Sequence, residues 1–84
     1  MNYVYILLRL DTSPNLLNND VNIDRYEAKA FLSKEGAQAM MKAEYIALSH
    51  EADRDSYCGG DEALVVTDEG FVTQWKIQLV EVAP

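Results

Sequence analysis

The sequence predicts an α+β fold: a four-stranded antiparallel sheet with elements in the order β-β-α-β-β and one helix packed on one face. Three observations predict it. Residues 3–10 alternate strictly, with Val4, Ile6, Leu8 and Leu10 on one side and Tyr3, Tyr5, Leu7 and Arg9 on the other, the period of a strand. Ser33 precedes a run of strong helix formers from Lys34 to His50, the signature of a capped helix. Ala63–Thr67 and Phe71–Val82 are β-rich runs joined by Asp68-Glu69-Gly70, a hairpin signal.

The first strand has no truly polar face, so it is expected in the interior of the sheet, beside the equally long last strand. Its aliphatic set, Val4, Ile6 and Leu8, is expected to meet the helix. Residues 11–24 hold four Asn and a Pro and read as a loop, long for a small domain. That loop also carries Leu16, Leu17, Val21 and Ile23, which suit a segment folded back over the domain or one offered to another molecule. Residues 26–32 alternate like a strand, yet Ala, Glu and Lys favour helix; the N-cap at Ser33 favours strand up to that point.

Along the helix, Ala37, Met41, Tyr45, Leu48 and Ala52 form one stripe at 100° per residue, and Ala39, Ala43, Ile46 and His50 form another on the far side. A helix lying on one sheet face needs a single stripe. The second asks for a cover, from the 11–24 segment or from another subunit. The strand–Ser–Glu–Ala-rich helix unit resembles that of many short bacterial and phage proteins, a generic likeness that implies no function. Residues 51–62 read as a loop, and in the last strand Phe71, Thr73, Trp75, Ile77 and Leu79 are expected to face the helix. The predicted core is Val4, Ile6, Leu8, Ala37, Met41, Tyr45, Leu48, Val65, Trp75, Ile77 and Leu79.

The 84 residues allow one domain, 1–84, with 49% apolar and 25% charged residues, a globular composition. The single cysteine, Cys58, cannot form an internal disulfide, which favours a reducing compartment. No apolar run is long enough for a membrane span, and a cytoplasmic location is expected. Residues 51–69 hold seven acids against Arg54 alone, a net of −6 within a whole-chain charge of −7. A chain this acidic is a poor direct ligand for nucleic acid or an anionic membrane; a basic protein suits it better.

Within the acidic stretch, Asp53, Asp55, Tyr57, Asp61, Glu62, Asp68 and Glu69 are the candidate partner-binding residues. As a calcium loop starting at Asp53 the stretch fails, because Cys58 stands where Gly is needed and Leu64 where Glu is needed. His50 and Cys58 lack any visible orienting group or oxyanion site, and acidic neighbours would raise the thiol pKa. Glu44 lies between the helix stripes, where Arg25 or Lys76 could pair with it. No catalytic, cofactor-binding or metal residue is expected, and the chain is not expected to be an enzyme. Tyr3, Tyr5 and Ile46 are candidates for self-association, the tyrosines grouped with Leu7, Val72 and Val80 on a sheet face turned away from the helix. The expected function is a small acidic protein-binding module. Its sharper form is a phage or mobile-element inhibitor that blocks a basic nucleic-acid-binding surface of a host protein, by analogy with anti-CRISPR inhibitors. The alternative is a structural or regulatory homodimer.

Overall fold

The computed structural model describes residues 2–15, 17, 20–49 and 56–82. Within them lie strand β1 (Asn2–Asn15), strand β2 (Asp20–Phe31), helix α1 (Lys34–Leu48) and strands β3 (Tyr57–Gly59), β4 (Glu62–Val66) and β5 (Val72–Val82). The class is α+β, with one antiparallel sheet and one helix, but the sheet has five strands in the order β2-β1-β5-β4-β3. As the long apolar runs imply, β1 and β5 lie side by side inside the sheet, paired from Asn2↔Val82 to Thr12↔Val72.

Two differences from the sequence reading enlarge the sheet. The segment 11–24 is mostly strand: β1 continues to Asn15 and pairs with β2 as far as Asn15↔Asp20. Pro14 fits there because pairing with β5 has already stopped at Thr12, so its missing N–H breaks no ladder on that side. The second difference is β3, three residues inside the stretch read as loop. It returns on β4 through Gly60-Asp61, with Gly59 paired to Glu62 and Gly60 at φ 59°. A two-residue hairpin turn needs a positive φ of this kind, and glycine supplies it without steric cost. The β4–β5 turn forms over Thr67–Phe71 as its Asp-Glu-Gly signal predicts. Thr67 N–H donates to the Phe71 carbonyl, Gly70 N–H donates to the Thr67 carbonyl, and Gly70 takes φ 93°.

Helix α1 starts where Ser33 places it. The Ser33 Oγ accepts a hydrogen bond from Gly36 N–H at 3.0 Å with Ser33 itself extended, satisfying one of the donors a helix start leaves open. Ser33→Ala is expected to cost about 1 kcal/mol, read as a lowered midpoint in urea with an unchanged slope. The helix ends at Leu48 with Ser49 as its C-cap; His50 lies outside the described residues.

The core joins Ala37 and Met41 of the helix to Leu7, Ala63, Val65, Trp75 and Ile77 of the sheet, with Tyr5, Phe31, Tyr45, Leu48 and Cys58 packed around them. This reverses the expected orientation of β1. Its mixed set, Tyr5, Leu7 and Arg9, meets the helix, and its aliphatic set, Val4, Ile6, Leu8 and Leu10, faces the other way. In β5, Trp75 and Ile77 are core as expected, but Leu79 is exposed, as is Phe71 in the turn that precedes the strand.

The inversion has a physical cause. Arg9 Nη1 donates to Glu44 Oε1 at 2.7 Å, Arg9 Nε donates to Asp11 at 3.0 Å, and its guanidinium lies 5.3 Å from the centre of the Trp75 ring. A single charged residue is thus accommodated under the helix by two carboxylates and an aromatic face. Glu44 pairs with Arg9 and Lys29, in place of the expected Arg25 or Lys76.

Candidate docking surface

With the helix occupying one side of the sheet, strand registers define what lies on the other. Leu8 pairs with Ala28 and Lys76, and Lys76 with Glu62. Leu10 pairs with Tyr26 and Gln74, Gln74 with Leu64, and Leu64 with Tyr57. Val4 pairs with Val80, and Ile6 with Ala30 and Gln78. Directly paired residues of a sheet share a face. The helix-free side therefore presents Val4, Ile6, Leu8 and Leu10 of β1 as a half-buried apolar field ended by Val80, separated from Leu64 by Gln74, Lys76 and Gln78 of β5 and bordered by Tyr26 at 63% and Tyr57 at 49% exposure.

Among the described residues of these rows, the only charges are Glu62 and Lys76, adjacent on neighbouring strands. Leu8, Leu10, Tyr26, Tyr57 and Leu64 border a shallow depression of about 410 Å³. No described element crosses this side. A bulge between Asp11 and Thr12 lets β2 take Asp24 as an extra residue and restores its pairing as Thr12↔Ile23. Ile23 and Val21, both exposed, thereby continue the apolar field toward the hairpin end.

The acidic candidates are divided. Asp53 and Asp55 lie outside the described residues. Asp61 and Glu62 sit at the start of β4, where Asp61 meets Lys34 at 3.4 Å with both side chains about half exposed. Asp68 and Glu69 occupy the turn at the other end of β4, on the order of 17 Å away at ~3.3 Å per residue. There they border a cleft of about 670 Å³ together with Arg9, Asp11, Asp24 and Leu48. Tyr57 belongs to neither group and lies on the open sheet face. Of the self-association candidates, Tyr5 packs toward the core, Tyr3 shares its side of the sheet, and Ile46 is exposed on the helix flank beside β3, bordering a depression with Met41 and Cys58.

The chain matches no protein-family model, no curated protein and no solved structure.

Other chemistry is limited by geometry. Among the described residues no group of three or more His, Cys, Asp or Glu could hold a metal ion, and no helix is long and apolar enough to cross a membrane. Glu44 is the most enclosed carboxylate in an ion pair, and all of its hydrogen bonds run to Arg9, Lys29 and the Trp75 indole N–H. Burial pushes its pKa up, but the hydrogen bonds from Arg9, Trp75 and Lys29 together outweigh burial and hold it below the ordinary value. A carboxylate kept ionised and saturated by donors is suited to fixing the helix on the sheet, not to proton transfer.

The open face escaped the sequence reading in one respect. Its apolar character was legible, and Val72 and Val80 were placed with it, but the tyrosines of β1 were expected there in place of Val4, Ile6 and Leu8. The signal that could have corrected this is Arg9 together with Glu44: two opposite charges inside otherwise apolar patterns point toward each other.

Proposed function

We propose that this chain is a non-enzymatic protein-binding module whose docking surface is the helix-free face of its sheet. The observation that carries the reading is the placement of Val4, Ile6, Leu8 and Leu10. A strand in the middle of a sheet turns its fully aliphatic side outward and its Arg-bearing side toward the helix. An aliphatic strip that no other described element covers supports an interaction site. Flanking tyrosines strengthen the reading, because an aromatic ring with a polar tip suits the edge of an interface.

The charge of −7 supports the sharper form, in which a basic partner is drawn in by long-range attraction. A protein that normally holds nucleic acid is such a partner, and an acidic module seated on its basic surface would act as an inhibitor. Asp61, Asp68 and Glu69 are exposed and stand off the apolar face, placed to steer encounter without being desolvated.

The test is a capture experiment with the immobilised chain at low and high salt. The variant Asp61→Asn/Asp68→Asn/Glu69→Gln is expected to bind the captured basic protein with an association rate about tenfold lower, and to fold as stably as the parent. Raising salt from 0.1 M to 1 M, which shortens the Debye length from ~10 Å to ~3 Å, should have the same effect on the parent. Salt-independent binding that ignores the three substitutions would remove the charge-steered form. Binding that survives Leu8→Glu would remove the sheet face from the reading altogether.

A further inference from the structure

We infer that the helix-free face takes an extended, proline-rich segment with a basic end, laid across the strands. The inference rests on reading that face as a protein-docking surface and names the kind of chain that docks there.

Spacing is the first support. One row crosses all five strands in register as Tyr26, Leu10, Gln74, Leu64 and Tyr57. Each leucine thus has a tyrosine beside it, and Gln74 stands between the two pairs. All five residues border the depression of about 410 Å³. Leu10 and Leu64 are two strand spacings of ~4.8 Å apart, about 9.6 Å. A polyproline II chain rises ~3.1 Å per residue with three residues per turn, so its positions i and i+3 stand ~9.3 Å apart on one side. A β-strand offers ~6.7 Å between residues on one side, which fits neither one strand spacing nor two. An α-helix comes near with i and i+7, ~10.5 Å apart, but its intervening i+3 or i+4 side chain would press on Gln74.

Polarity is the second support. The middle of the row belongs to β5, whose Gln74, Lys76 and Gln78 are exposed on this side. A helix or a second sheet has already used its backbone groups and would leave the Gln74 amide without partners. A polyproline II chain makes no internal hydrogen bonds, so its carbonyls are free to accept from Gln74. The tyrosines at both ends of the row suit proline, since aromatic-lined grooves are the usual seat of such chains. Charge sets the direction. Lys76 lies in the next row at the centre, between Leu8 and Glu62, and keeps a cation away from the middle. Glu62 is exposed at the β3 end, where its neighbour across the ladder is Gly59, with open space where a side chain would stand. A basic residue beyond the Tyr57 seat therefore meets Glu62.

Selection from a displayed library of random decapeptides on the immobilised intact chain tests the inference. The enriched peptides are expected to carry Pro at i and i+3 with Arg or Lys outside that pair and not between its members. In fluorescence anisotropy with one such peptide, Tyr26→Ala and Tyr57→Ala should each weaken binding about tenfold. Both rings are largely in solvent, so the two variants should keep the parent's urea midpoint. Glu62→Gln should weaken the same peptide about fivefold and leave a version with its Arg replaced by Ala unaffected. Enrichment of no peptide, of peptides without the i, i+3 prolines, or of amphipathic sequences with apolar residues at i and i+7 overturns the inference. So does binding that ignores both tyrosine substitutions. If no such peptide is enriched while Leu8→Glu still loses the captured basic protein, the proline-rich segment is overturned and the docking reading stands.

Discussion

Trp75→Ala is expected to unfold much of the population at physiological temperature, with a cost of ~3–5 kcal/mol, and Leu7→Ala should cost ~2–5 kcal/mol. Both side chains are 2% exposed, and each lies on one of the two strands at the middle of the sheet. Trp75 also holds several contacts at once: its indole N–H donates to Glu44, its ring carries the Arg9 guanidinium, and Tyr45 meets it edge-on at 6.3 Å between centroids. Removing it opens a cavity and takes a donor away from an enclosed carboxylate oxygen. A small domain is stable by ~5–15 kcal/mol at most, so a loss of this size consumes a large fraction. Leu8→Ala is the informative control. Its half-buried side chain lies on the open face, so it should cost less than Leu7→Ala, roughly 1–2 kcal/mol. Urea titrations of the three variants check the orientation of β1: a Leu8 variant weaker than the Leu7 variant would turn the strand over.

That orientation marks the limit of what the sequence carries. Where pattern and local chemistry agree, the fold was legible: the helix from its Ser33 cap, the β4–β5 hairpin from Asp68-Glu69-Gly70, and the central place of β1 and β5 from their length. Alternation alone cannot say which side of a strand is covered when both sides are apolar. Leu7 and Leu8 are equivalent by composition, and the choice between them was made by Glu44, far along the chain on the helix, which needed Arg9. The segment 11–24 was hidden for a different reason. Its Asn and Pro residues discourage strand individually, but pairing between β1 and β2, already established from Tyr5↔Phe31, propagates through them. The three residues of β3 form no pattern that could be recognised, and only Gly59-Gly60 hinted at a return. For the candidate site, the acidic excess was plain in the sequence, while its division between the two ends of β4 depended on where the chain reversed.

Glu44→Gln is expected to lower stability by about 1–3 kcal/mol near neutral pH, and that difference should vanish in acid. The amide keeps the shape of the carboxylate and one acceptor, but it removes the charge that Arg9 and Lys29 face at 2.7 and 3.3 Å. Arg9 then retains Asp11 as its remaining carboxylate partner, and an enclosed cation that has lost half of its compensation carries a penalty of this order. The pH dependence follows from linkage. Glu44 titrates below its ordinary value in the folded chain, so over the titration range the unfolded state binds more protons and stability rises with pH. The contribution of the charged form is fully present above about pH 5, where folded and unfolded chains are both ionised. It declines as pH falls through the lowered folded pKa. Below that point the protonated carboxyl of Glu44 and the amide of the Glu44→Gln variant are both neutral, and the two proteins are electrically alike at this position. Subtracting the variant's stability–pH curve from that of the wild type isolates this one group from the other thirteen acids. A difference that stays constant from pH 7 to pH 2 would mean that Glu44 acts through packing alone. A difference that closes in acid assigns the seating of the helix on the sheet to the charge of Glu44, and with it the choice of which face of β1 is left open.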